Sequence, residues 1–487
     1  MKKCPQCGRR YSDIVVTCPA CAISLDASDN MVGKKQREPE NTTDRNTLSP
    51  EGYYQMGLTG EKLGNMEGAV RSYRIAAEMG NPDAQFKMGW CCFQGKGIAR
   101  DYAQAVRWYQ KAAMQENAAA QCNLGYCYDM GNGVHKDIQE AVKWYRKAAE
   151  NGEAMAQNNL GYCYEMGNGV HKDIQEAVKW YQKAAENGNA RAQCNLGYCY
   201  ETGNGVHKDI QEAVKWYRKA AENGNARAQC HLGYCYEMGN GVHKDIQEAV
   251  KWYRKAAENG DARAQCLLGY CYDIGNGVHK DIQEAVKWYR KAAENGDARA
   301  QCLLGYCYDI GDGVHKDIQE AVKWYRKAAE NGDAVAQHDL SGCYRRGRGV
   351  PQDYQEALKW CMLSAEQGYA TAQSDIGWHY ELGYGIPQSY EQAVKWYRKA
   401  AENGNAVAQY NLGLCYENGR AVSQDYVEAA KWYGMAAEQG YADAEYRLGI
   451  CYEEGRGVPI NQKKAVQLYT MAAEHGNENA LLKLKSR

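Results

Sequence analysis

An excess of charge of either sign is the first thing this sequence lacks: 59 Lys and Arg offset 60 Asp and Glu across 487 residues. Nucleic-acid binding rests on a surplus of cations facing phosphates, so DNA and RNA are not expected as main partners. There is no run of about eighteen apolar residues, the least that a membrane-crossing helix requires, and no membrane role is expected. The opening MKKCPQCGRRYSDIVV has no apolar stretch of signal-peptide length. It predicts a soluble, cytoplasmic chain whose 21 cysteines are thiols and metal ligands rather than disulfides. Ser-x-x-Lys, His-Glu-x-x-His and phosphate-loop motifs are missing, so a non-enzymatic protein is expected. Phenylalanine is nearly absent too. Only 2 stand beside 39 Tyr and 12 Trp, a bias that arises when one short segment is copied many times.

The copying is regular. From Trp108 a tryptophan recurs every 36 residues, at Trp144, Trp180, Trp216, Trp252, Trp288, Trp324, Trp360, Trp396 and Trp432, with Ser72 before the series and Leu468 after it. No insertion or deletion interrupts it. This predicts a shortened repeat over 51–80, eleven full repeats over 81–476 and a capping helix over 477–487.

Residues 117–152, NAAAQCNLGYCYDMGNGVHKDIQEAVKWYRKAAENG, show what one copy encodes. Ala120, Leu124, Cys127 and Tyr128 fall on one side of a first helix, helix A, which Gly131 should end in a left-handed conformation. Ile138, Ala141, Val142, Trp144, Tyr145, Ala148 and Ala149 form the wide apolar stripe of a second, helix B. Asp137 and Glu140 have capping-box spacing at its start. Such a hairpin is too thin to bury its own stripe, so copies must stack. The expected fold is all-α, a solenoid of helical hairpins in which the tryptophans form the spine, since each buries about 150–250 Å².

The runs A-x-x-x-L-G-x-x-Y, G-x-G-V and A-V-K-W-Y-x-K-A-A-E-x-G resemble the Sel-1-like repeat family, relatives of tetratricopeptide repeats, over roughly Gly57 to Gly476. Departures are Ser341 for the first Gly, Cys361 for the Tyr after Trp360, and Ala421 for the second loop Gly. The resemblance implies a right-handed superhelix that serves as a scaffold or adaptor for a protein partner. Cysteine-rich members of the family staple helix A to helix B, and some are described as β-lactamase-like, which makes such an enzyme the alternative function. Here the helix B staple position holds Ala148 and Ala149, so the staple is not expected.

Ahead of the repeats, Cys4-Pro5-Gln6-Cys7 and Cys18-Pro19-Ala20-Cys21 are two C-x-x-C motifs separated by a segment long enough for a small hairpin. Four thiolates at this spacing suit one structural, tetrahedral Zn²⁺ in a zinc ribbon over 1–25, with redox-active dithiols as the other reading. Residues 26–50, with KKQREPENTTDRNT at their heart, read as a flexible linker. The periodic loop histidines, among them His135 and His171, read as surface residues, because helix packing holds neighbouring copies too far apart to share a metal.

Variation among copies points to a binding surface. Over 117–332, helix B changes only where Arg146 becomes Gln182, whereas helix A changes at five places. The repeat's third residue runs Ala119, Met155, Arg191, Arg227, Arg263, Arg299, and its seventh Asn123, Asn159, Asn195, His231, Leu267, Leu303. Cys122 and Met130 vary as well, and positions 119, 122, 123 and 130 are assigned with Tyr126 to the side away from Leu124. That side is expected to line the concave surface. An extended or helical partner segment would be read there by Arg191, Arg227, Arg263 and Arg299, by Tyr198, Tyr234, Tyr270 and Tyr306, and by His231, Leu267 and Leu303.

Overall fold

A computed structural model describes residues 48–485, together with the backbone of residues 2–3 and 10–11. Cys4, Cys7, Cys18 and Cys21, and the linker up to residue 47, lie outside the described residues. Strand β1 (Lys2–Lys3) pairs antiparallel with β2 (Arg10–Tyr11), Lys2 opposite Tyr11 and Lys3 opposite Arg10. The strand pair brackets the first C-x-x-C motif, and the rest of the segment between the two motifs, where a small hairpin is expected, lies outside the described residues.

The helices come in hairpins: α1 (Pro50–Lys62) with α2 (Met66–Glu78), α3 (Pro82–Gln94) with α4 (Tyr102–Met114), α5 (Ala118–Met130) with α6 (Ile138–Glu150). Then α7 (Ala154–Met166) opens a series that continues alike to Ala442–Glu454 and Gln462–Glu474, and Glu478–Lys485 follows as a final helix. In the first hairpin the shortening falls in the loop, which is only residues 63–65. The chain forms two compact units, Met1–Lys244 and Asp245–Arg487, each a solenoid-type stack of these hairpins.

Local chemistry sets the helix ends. Asn117 Oδ1 accepts from the Ala120 N–H at 2.8 Å, and Gly131 closes helix A at φ 76°. Asp137 Oδ1 accepts from the Glu140 N–H at 3.0 Å, but the capping box stays half made. Glu140 turns instead to Lys143 at 2.8 Å, while the Asp137 N–H donates to the Tyr128 carbonyl.

The core runs between hairpins as well as within them. Tyr145, Ala141, Ala148, Ala156 and Leu160 are buried with Cys122, and Trp180 of the next repeat closes the cluster. The tryptophan periodicity predicts a Trp spine. The structure gives the deepest place to the tyrosine that follows: Tyr145 and Tyr181 are essentially inaccessible, whereas Trp144 is only partly covered. The reason is the preceding helix A glycine. A Cβ on Gly125 would lie 2.7 Å from the Tyr145 ring, so glycine at this point lets the tyrosine seat fully. Trp stands at the seam, its face covered by the Lys one turn on, as with Lys147 Nζ 4.6 Å from the Trp144 centroid.

Cys122 is therefore not on the outer side of helix A. It is buried against the neighbouring repeat, because helix A touches two helices B and its apolar stripe is wider than one hairpin requires. Every cysteine among the described residues is a buried free thiol. Burial pushes the Cys127 and Cys163 thiols up to about 12, so they stay protonated and unreactive at neutral pH.

Candidate functional site

The outer side of helix A is built by the third, seventh, tenth and fourteenth residues of the repeat, which share a face at helical spacing. Tyr126, Met130, Met155, Tyr162 and Met166 are large apolar side chains left exposed there in the first unit. In the second unit Tyr270, Ile274, Tyr306 and Ile310 are exposed in the same way. Buried positions explain themselves by packing, but a repeated row of exposed aromatic and aliphatic side chains does not. Such a row marks a surface that another molecule can cover.

The arginines stand at the edge of this face. Arg191 and Arg227 occupy equivalent first-turn positions of successive helices A in the first unit, and Arg263 and Arg299 do so in the second; all four are exposed. The Arg227 guanidinium lies 5.8 Å from the Tyr198 centroid, a contact between successive repeats. Tyr198 and Tyr234 are half-buried, whereas Tyr270 and Tyr306 are exposed. Leu267 and Leu303 are half-buried, and Leu303 packs against the cluster that holds Tyr289 and Leu304. His231 is engaged within the chain: its ring stacks on Tyr217 at 4.9 Å and its Nδ1 lies 3.7 Å from a Glu201 oxygen.

One feature of this face is not legible from the arginine series. A cleft of about 300 Å³ opens between α3, α5 and α7, lined by Trp90, Phe93, Tyr126 and Met155, with Tyr109 and Cys122 below and Asn123 and Asn159 on its walls. The 36-residue period does align Trp90 with Tyr126, so the signal was present in the sequence. What the period could not give is the gap left where Phe93 and Met155 stand in place of the usual residues.

Helix B's constancy has its own explanation. Lys143 pairs with Glu140, Lys147 covers Trp144, and Arg146 donates to the Tyr164 hydroxyl of the next repeat at 2.9 Å. These are local and inter-repeat duties, so exposure alone does not make those positions free to change. A buried relay also joins neighbours: Gln121 Nε2 donates to the Ala113 carbonyl, and its Oε1 accepts from Asn151. In the last full repeat the pair is Glu445 and His475, with the carboxylate wholly buried. Among the described residues no group of three or more His, Cys, Asp or Glu could hold a metal ion, and no helix is long and apolar enough to cross a membrane.

These features define a helical-hairpin repeat protein of the tetratricopeptide-like class. The Sel1 repeat family matches eleven consecutive segments, from 82–117 to 442–477, and the chain belongs to that family. It is similar to c5321, a protective antigen of uropathogenic Escherichia coli strains displaying an SLR fold. The two are 38% identical over 86% of this chain and 91% of that one, with a TM-score of 0.68. A Sel1 repeat protein from Oxalobacter formigenes is also 38% identical, over 63% of this chain and 90% of that one, with a TM-score of 0.49. A comparison with curated proteins found no match. Sel1 repeat proteins are in general protein-interaction scaffolds, and proteins are the partner class that the fold suggests.

Proposed function

We propose that this protein is a non-enzymatic scaffold that binds a segment of a partner protein along the outer face of helix A. The observation that carries the reading is the row of exposed Tyr, Met and Ile side chains beside exposed arginines, with Tyr and Arg the types enriched in interface hot spots. The test compares a captured partner's affinity for two variants. One replaces Arg191, Arg227, Arg263 and Arg299 by Ala, and the other replaces Lys215, Lys251, Lys287 and Lys323. The arginine set should weaken binding by at least about tenfold, more so at low salt, and the lysine set should not. The reverse result would move the recognition face to helix B.

We also infer that Cys4, Cys7, Cys18 and Cys21 hold one structural zinc, a reading supported by their spacing and by the strand pair on either side of the first motif. Four thiolates leave no open coordination position, so the metal would serve folding rather than hydrolysis. Elemental analysis of protein purified without chelator should find about one zinc per chain. Absence of zinc would favour redox-active dithiols.

A further inference from the structure

The third residue of the repeat, in the first turn of helix A, changes in a graded way along the first unit: Asp83, Ala119, Met155, Arg191, Arg227. The cleft between α3, α5 and α7 sits at the apolar stage of that gradient, with Met155 at its rim and 55% exposed. Beyond it, in the next two repeats, come the two arginines, and among the described residues neither forms an ion pair with a carboxylate. One face therefore presents a bulky apolar socket and then two cations, in fixed order.

We propose that this face takes an extended segment of a partner protein in a single orientation, seating one aromatic or long aliphatic side chain in the Trp90, Phe93, Met155 cleft and laying carboxylates over Arg191 and Arg227. This deepens the scaffold reading and rests on it. Packed helices lie about 8–10 Å apart and an extended chain advances about 3.3 Å per residue, so one repeat corresponds to about three residues of partner. The recognised pattern is an apolar anchor with acidic residues about three and about six positions to one side. A cleft of about 300 Å³ suits one large side chain, and the Asn123 and Asn159 amides on its walls can hydrogen-bond a peptide main chain. Charge complementarity with Arg191 and Arg227 selects an acidic segment as the occupant, whereas in the chain's own linker Lys34, Lys35, Arg37 and Arg45 nearly cancel Asp26, Asp29, Glu38, Glu40 and Asp44.

The full chain is used to select from a phage-displayed library of random peptides, and the enriched sequence is made synthetically for fluorescence anisotropy. Enriched peptides should carry the anchor and the carboxylates at the stated spacing and on the same side. Met155→Arg should weaken the peptide by about tenfold or more, the loss expected of a buried anchor. That substitution is the residue found at Arg191, so the helix tolerates it. A peptide with Glu in place of its anchor should bind Met155→Arg better than wild type, reversing the preference. Arg191→Ala with Arg227→Ala should weaken the original peptide and reduce its salt dependence. If the arginine pair matters and Met155→Arg does not, the socket is wrong and the scaffold reading stands. Insensitivity to both, or enrichment of peptides without acids or anchors, overturns the proposal, and insensitivity to both counts against the helix A face altogether.

Discussion

At the scale of single residues, the repeat at 334–369 shows how tightly two positions are coupled. Elsewhere a helix A glycine faces a buried helix B tyrosine, but here Ser341 faces Cys361. Both are buried, and Ser341 Oγ donates to the Ala357 carbonyl at 2.7 Å. The serine Cβ occupies the space into which the tyrosine ring would fit, as the 2.7 Å approach at Gly125 demonstrates. Cys361→Tyr alone should therefore overpack the hairpin and cost about 1–3 kcal/mol. Adding Ser341→Gly should recover most of that loss, with a coupling of at least about 1 kcal/mol in a double-mutant cycle by chemical denaturation. Additive effects would show that the two changes are unrelated. From the sequence the pair appears only as two departures from a pattern; their dependence is a matter of volume, which periodicity does not encode.

At the scale of the element, the helices Ala334–Arg346 and Ala370–Leu382 share an ion-paired histidine where other repeats pack a core cysteine. His338 Nε2 lies 3.3 Å from Asp375 and its Nδ1 3.7 Å from Asp339, with the side chain 21% exposed. Burial alone would push the imidazole down, but the two carboxylates outweigh it and hold it up at about 9, against 6.5 ordinarily. A folded-state value above the unfolded one stabilises the protein most below pH 6.5, and that contribution fades as pH rises through 9. The loss is on the order of 3 kcal/mol. Hydrogen exchange in these two helices should therefore speed up between about pH 7 and pH 10 relative to the rest of the chain, and His338→Cys should remove that pH dependence. A His338 imidazole titrating near 6.5 by NMR would contradict it. The elements themselves were legible: caps, glycine stops and the apolar stripe of helix B fixed the helix bounds around 118–150 nearly to the residue. The burial of Cys122 was not, since one hairpin's wheel cannot show the second helix B against which helix A packs. The Trp90 cleft escaped for a similar reason, because residues of four helices line it and it belongs to none of them.

At the scale of the whole molecule, stability in a stack is a sum of repeat terms and nearest-neighbour terms, so a weak junction is felt as a break in cooperativity. The first unit contains such junctions, with Gln110 and Gln182 where Arg146 stands in the repeat between them. At most seams a helix B arginine reaches the next repeat's tyrosine hydroxyl, as Arg146 does to Tyr164 and Arg218 to Tyr236. Gln182 instead donates to Glu186 on its own helix at 3.1 Å, which leaves the seam to Tyr200 without the clasp. The missing contact is a hydrogen bond with the cation held close to a ring, together worth about 1 kcal/mol at a half-exposed site. In an array of near-identical repeats that is enough to make such a seam open before a clasped one. Native-state hydrogen exchange should find lower protection on both sides of the seam between residues 188 and 189 than at the Arg146 seam. Gln182→Arg should raise protection there by about fivefold, the factor that 1 kcal/mol represents, without changing protection at the Arg146 seam. If Gln182→Arg raises protection evenly through the first unit, its repeats unfold as one block and the nearest-neighbour description fails. If protection does not change at all, the Arg–Tyr clasp contributes nothing to holding repeats together.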